Sequence, residues 1–181
     1  MDHDEATTRL LDTAERLFYE RGIQTVGMDE VRTASGVSLK RLYQCFPAKE
    51  ALVVAYLRRR DTRWLSSLAN FVAHHDPTDQ IPAVFDWLHA WFSEPGFRGC
   101  AFINSAGELG ATSPEVLAAV RDHKAAVREY LATLADQTNV PDLADHLNLL
   151  VEGAITTAAI TGDPTTAHQA RQAIELLLNR P

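Results

Sequence analysis

Cysteine is nearly absent from this chain of 181 residues: only Cys45 and Cys100 occur, far apart and in no metal-binding or redox spacing. Both are read as free buried thiols, so neither a disulfide framework nor a zinc site organises the fold. No apolar run approaches the length of a membrane span, and the charged N-terminus MDHDEATTR lacks the pattern of a signal peptide. The expectation is a cytoplasmic chain with no membrane partner. Catalytic signatures are missing too. The serines stand in no nucleophile elbow, the seven histidines form no HExxH, and no glycine-rich phosphate loop is present. His74 and His75 are adjacent on a helix and point apart, which makes a poor metal pair. No enzyme, cofactor or resident metal is expected. Internal repeats, low-complexity tracts and long linkers are also lacking, and 46% hydrophobic with 23% charged residues is an ordinary globular balance.

What is present is an uneven distribution of charge. The total of −7 argues against a generic nucleic-acid binder, but the total hides its parts. Residues 1–30 sum to −5 and residues 61–181 to −8, whereas residues 31–60 sum to +6 through Arg32, Lys40, Arg41, Lys49, Arg58, Arg59 and Arg60. Basic charge is gathered on one short stretch, where a polyanion would be met, and the acidic remainder would keep the rest of the surface off it. Arg58, Arg59 and Arg60 cannot all face one way on a helix; they are expected to meet solvent and the acidic body.

Helical periodicity dominates and strand patterns are hard to find. A first helix over 5–21 places Leu10, Leu11, Ala14, Leu17 and Phe18 on one stripe and stops at Gly22. Helices over 28–35 and 39–45 follow, the latter capped by Ser38. Pro47 opens a turn into a long fourth helix from Lys49, which runs to His74 or breaks near Asp61. Asp76-Pro77 starts a helix to about Glu94, and a helix over 101–109 follows the break at Pro95-Gly96. Ser113-Pro114, Pro141 and Asp163-Pro164 start the last three, ending near 138, 161 and 179. The fold class is therefore all-α. The expected division is a three-helix helix-turn-helix unit over 1–47 and, joined to it by the long helix, a helical body over 48–181.

The stretch from 29 to 52, DEVRTASGVSLKRLYQCFPAKEAL, carries the chemistry. Gly36 supplies the left-handed position of a tight turn. Val31, Val37, Leu42 and Phe46 supply the apolar pins between the two helices. Lys40 and Gln44 lie one turn apart with Arg41 beside them. Arg and Lys pair with guanine, and Gln with adenine, on major-groove base edges. Tyr43 and Lys49 suit phosphate oxygens, and the fourth helix adds the positive end of its dipole.

This region resembles the TetR family of bacterial transcriptional regulators. The matching residues are RLLDTAERLFYERG, Thr25, the run from Val31 to Val37, Leu42-Tyr43, Phe46 and Lys49-Glu50-Ala51-Leu52, over about residues 9–57. The segment RGCAFINSAGELG is similar to a stretch found in one subgroup of that family. The chain departs from the usual pattern at Arg32 and Ser35, where Ala is common, and at Leu39-Lys40-Arg41, where a small residue and Thr are common. It departs again at Ala48, where a capping Ser or Asn is usual. The missing cap should weaken the start of the fourth helix by about 1 kcal/mol. The implied DNA-contact set is Thr25, Ser38, Leu39, Lys40, Arg41, Tyr43, Gln44 and Lys49.

The resemblance implies a homodimer that binds a palindromic operator in double-stranded DNA and a body that takes a small-molecule effector. Two apolar stripes fit a symmetric four-helix interface: Leu143, Leu147, Leu150, Val151, Ala154, Ile155, Ala158 and Ala159 on one helix, and Ala170, Ala173, Ile174, Leu177 and Leu178 on the next. Candidate effector contacts are Phe85, Trp87, Leu88, Trp91, Phe102, Asn104, Glu108, His123 and Tyr130, aromatics with a few polar groups, which suits a partly apolar ligand. The expected function is a ligand-released repressor. The alternative is a DNA-binding regulator without a small-molecule ligand, constitutive or controlled by a protein partner; a closed apolar core would favour it.

Overall fold

A computed structural model describes residues 2–179 of the chain. The described residues form nine α-helices and no strand: α1 (His3–Arg21), α2 (Met28–Ser35), α3 (Leu39–Cys45), α4 (Lys49–Ala73), α5 (Gln80–Phe92), α6 (Ala101–Leu109), α7 (Pro114–Gln137), α8 (Ala144–Thr161) and α9 (Thr166–Leu178). None of these helices is long and apolar enough to cross a membrane. The long fourth helix does not break near Asp61. The prolines at 77 and 141 open short 3₁₀ turns, Pro77–Asp79 and Pro141–Leu143, and the α-helices start one turn later than the sequence suggests. At the third such start, the Asp163 carboxylate accepts from the backbone N–H of Thr165 at 2.9 Å and from its hydroxyl at 2.7 Å, closing the turn into α9.

Two compact units emerge, with divisions at 61/62, 100/101 and 121/122. α1–α3, the first half of α4, α6 and the first turns of α7 make one; the remainder makes the other. This division is not the 1–47 and 48–181 split expected from sequence, since α4 contributes to both and α6 joins the first.

In the first unit, α1 is started by Asp2, whose side chain accepts from Glu5 N at 2.7 Å. Its stripe of Ala6, Leu10, Leu11, Ala14, Leu17 and Phe18 is buried, and the Phe18 ring meets Tyr56 of α4 edge-on at 5.8 Å. Of the arginine triplet, Arg58 is exposed, as expected, whereas Arg59 and Arg60 turn to acids of α1. Arg59 pairs with Asp12 at 2.8 Å and Glu15 at 2.7 Å. Arg60 pairs with Glu15 at 3.4 Å and lies over the Tyr19 ring at 4.2 Å. These half-buried groups fasten α4 to α1. Cys45 is also not buried as expected: it is half-exposed, with Sγ 3.7 Å from His3 Nδ1.

In the second unit, α5 is almost wholly buried from Ile81 to Phe92. Trp64 of α4 stands edge-on to Trp87, Trp91 and His123 at 4.9, 5.7 and 5.5 Å. The Trp87 indole donates to Ser67 Oγ at 3.2 Å, which satisfies its N–H inside this cluster. α8 and α9 pack on each other and on α5, and Leu147, Val151, Ala154, Ile155, Ala158, Ala167, Ala170 and Ile174 are buried there. Cys100 is buried here, with the Lys124 ammonium at 3.7 Å; Lys124 pairs in turn with Glu152 at 2.6 Å.

Candidate nucleic-acid interface

The interface is built around α3. Gly36 ends α2 at φ 68, ψ 18, the left-handed conformation that a tight turn requires. Val31, Val37, Leu42 and Phe46 are buried and seat α3 on its neighbours. The Ser35 hydroxyl donates to Arg32 O at 3.0 Å and accepts from Val37 N at 3.4 Å, so this polar residue in the helix contact has its bonds satisfied. Ser38 starts α3 by accepting from Arg41 N at 3.3 Å. That bond uses a lone pair, and the hydroxyl hydrogen remains available to donate to a phosphate.

Burial then sorts α3 into two faces. Leu42 points inward, while Leu39 (54% exposed), Lys40, Tyr43 (49%) and Gln44 point outward. Positions 39, 40, 43 and 44 are spaced as one helical face. Arg41 is half-buried at the margin of that face. Tyr43 and Leu39 are large side chains left in water with nothing from their own unit covering them.

Two further expected contacts flank the helix. Thr25 is exposed in the turn between α1 and α2, but its hydroxyl donates to Arg21 O at 2.8 Å with Gly22 O at 3.1 Å. That hydrogen caps α1 and is not directed outward. Lys49 begins α4, half-buried; burial pushes its ammonium below the usual lysine range, and the charge of Glu108 opposes this. Glu108 in turn accepts the backbone N–H of Gln24 at 2.8 Å. Gln24 carries no sequence signal of a role, and its partner lies on a helix far along the chain.

The expected effector residues are divided between the two units. Phe102, Asn104 and Glu108 lie on α6 in the first; of these Phe102 is buried and Asn104 exposed. Phe85, Trp87, Leu88, Trp91 and His123 are close-packed core of the second. Tyr130 lines an open cavity of about 260 Å³, together with Ala69, Val72, Gln80, Thr133 and Gln137. Burial pushes the Tyr130 phenol above its usual range, so it stands there as an uncharged hydrogen-bonding group. The sequence singles out neither the glutamines nor Thr133, because isolated polar residues on helices give no periodic signal. Among the described residues no group of three or more His, Cys, Asp or Glu side chains could hold a metal ion.

Known proteins share this arrangement. The family model "Bacterial regulatory proteins, tetR family" matches residues 10–56, and "Tetracyclin repressor-like, C-terminal domain" matches residues 77–174. An uncharacterised helix-turn-helix transcriptional regulator of Mycobacterium tuberculosis is 45% identical over 58 residues, 32% of this chain and only 29% of that relative's length. The transcriptional activator FasR of Mycolicibacterium smegmatis is 30% identical over 126 residues, 67% of this chain and 54% of its own. A crystal structure of a TetR-family regulator from Streptomyces coelicolor has TM-score 0.85 and 30% identity, covering 97% of this chain and 95% of that one. A structure of a TetR-type regulator from Streptomyces avermitilis has TM-score 0.76 and 25% identity, covering 93% and 97%. Matches to both halves, joined to a capped helix with an outward polar face, show that the chain belongs to the TetR family of transcriptional regulators and is a DNA-binding regulator, not an enzyme.

Proposed function

We propose that the chain is a cytoplasmic, dimeric repressor that binds a palindromic operator and is released by a small, partly apolar effector. The observation that carries this reading is the outward face of Leu39, Lys40, Tyr43 and Gln44, with Arg41 at its margin, on a helix seated by Leu42 and Phe46. Lys40 and Gln44 read base edges, with Arg41 reaching guanine from the margin; Ser38, Tyr43 and Lys49 hold phosphates. Two copies would present two such helices about 34 Å apart, one turn of the duplex.

Support for a dimer comes from α8 and α9, though not from the whole stripes expected. Leu147, Val151, Ala154, Ile155, Ala158, Ala170 and Ile174 are consumed inside the chain. What remains outward is a groove of Leu149, Leu150, Ala173, Leu176 and Leu177, with Leu149 69% and Leu176 73% exposed. Water contact of that extent on adjacent leucines favours burial against a second copy.

Support for an effector comes from the cavity edged by Gln80, Tyr130, Thr133 and Gln137 above an apolar floor of Ala69 and Val72. Its amides and hydroxyls suit a neutral molecule of about ten heavy atoms. Such a molecule can release DNA only by binding the non-reading conformer more tightly. The tight packing of Phe85, Trp87, Leu88 and Trp91 favours the second reading, control by a protein partner or none.

The test is selection from a random duplex pool. A two-fold symmetric consensus with half-sites one helical turn apart is expected, and a promoter fusion carrying it should fall in output when the chain is co-expressed. Recovery of unrelated sequences would overturn the operator reading, and a rise in output would reverse its sign. A compound library screened for DNA release should yield hits whose effect Thr133→Trp, which fills the cavity, abolishes.

A further inference from the structure

Leu39 is the first residue of α3, and 54% of its surface is in water. Tyr43 follows one turn later at 49%. The two make an apolar row on the outward face, beside the polar row of Lys40 and Gln44. The leucine side chain has no bonding group, so a phosphate gives it nothing. Whatever covers it also covers Lys40, its exposed neighbour. A protein surface pressed onto Leu39 would take that ammonium out of water, a cost that only a well-placed acid offsets. The major groove offers both kinds of surface side by side. Guanine N7 and O6 accept from lysine, and the C5 methyl of a neighbouring thymine is apolar. The row is also held firmly. Ser38 caps the first turn by accepting from Arg41 N at 3.3 Å, and the buried Leu42 seats the helix behind it.

We infer that Leu39 is a specificity-determining residue: it packs on the C5 methyl of one thymine in each half-site. This deepens the function proposed above and rests on it, since α3 must lie in the major groove. Thymine alone among the four bases carries that methyl, so an apolar side chain discriminates where it makes no hydrogen bond. Removing one methyl from such a contact weakens binding about fourfold per half-site. The contact involves no charge and releases no counterion. Its share of the affinity therefore stays constant as salt rises, while the share from Lys40, Arg41 and Lys49 falls. Hydrogen bonds from Lys40 and Gln44 would set the neighbouring base pairs, and Leu39 adds a position that they do not read.

The test is a methyl scan of the operator selected from the random pool, with the full chain and fluorescence anisotropy as the readout. Each thymine is replaced in turn by uracil, which loses the C5 methyl and keeps the pairing edge. One thymine per half-site should respond, with affinity falling about fourfold. Leu39→Ala should bind the thymine operator about as weakly as the unaltered chain binds the uracil one, and should no longer distinguish them. Leu39→Met keeps the apolar volume and should keep the preference. The thymine-to-uracil ratio should hold between about 50 and 200 mM salt while overall affinity drops. An operator bound specifically but indifferent to uracil at every thymine refutes the role of Leu39. So does a uracil loss that Leu39→Ala shows in full. Equal binding to selected and scrambled duplexes would instead fail the operator reading itself, and this inference with it.

Discussion

Two glycines with similar backbone angles should respond very differently to alanine. Gly36 has φ 68, and a Cβ there would meet nothing within 4 Å. Gly99 has φ 78, and a Cβ there would lie 2.7 Å from the Cβ of Ala159. At Gly36 only the left-handed backbone opposes alanine, at about 1–2 kcal/mol. The reduced freedom of the unfolded chain returns about 0.4–1 kcal/mol. The net loss is about 1 kcal/mol. At Gly99 the same backbone term is joined by a contact that α8 must yield to accommodate, and overpacking of this kind adds about 1–3 kcal/mol. The expected loss is about 2–4 kcal/mol. Urea titration followed by far-ultraviolet dichroism gives both values. Gly36→Ala should also keep operator affinity within a factor of about three at 25 °C, because the turn has room and most molecules stay folded. Equal losses at the two sites would refute the reasoning. So would a folded Gly36→Ala protein that no longer binds DNA, since that would place a contact at Gly36 that the free structure does not contain.

Arg41→Ala should cost about 1–3 kcal/mol on the selected operator and relax sequence choice, as anisotropy against matched and scrambled duplexes would report; equal losses on both would remove Arg41 from base reading. Leu176→Glu and Leu149→Glu should each convert the dimer to monomer in size-exclusion chromatography with light scattering, because a charge facing its own symmetry mate stays desolvated and unpaired. A dimer in both variants would place the interface elsewhere. Ser38→Ala removes the cap of a helix only seven residues long and should cost about 1 kcal/mol. Hydrogen exchange at the Arg41 amide should rise, whereas unchanged exchange would show that packing by Leu42 alone holds the first turn.

Local chemistry made the reading unit legible. Gly36 and Ser38 each have a structural requirement that few residues meet. The spacing of Val31, Val37, Leu42 and Phe46 reports one buried side of a two-helix unit. The ends of α2 and α3 follow from those residues alone. Proline was a coarser guide: Pro77 and Pro141 fit both the first turn of an α-helix and a 3₁₀ turn, and only tertiary packing chose the second. Long-range pairing was not legible. Nothing in Arg59 or Arg60 distinguishes an acid on α1 from one on the body, and nothing in Glu108 identifies Gln24 as its partner. The effector residues are ambiguous for a related reason. Trp87 and Trp91 share a helical face, but an aromatic face serves a packed core as well as a cavity wall, and here it serves the core.

The gathering of Trp64 with Trp87 and Trp91 gives the protein an unplanned optical property. These are the only three indoles in the chain, and they sit in one ring cluster beside His123. Light emitted on excitation at the red edge of the absorption band originates in that cluster alone. The outward face of α3 carries a phenol, Tyr43, but no indole. A shift in this emission on adding operator duplex would therefore report a message carried through the polypeptide from α3, and a spectrum that stays the same would mean that the duplex is bound without the indoles sensing it.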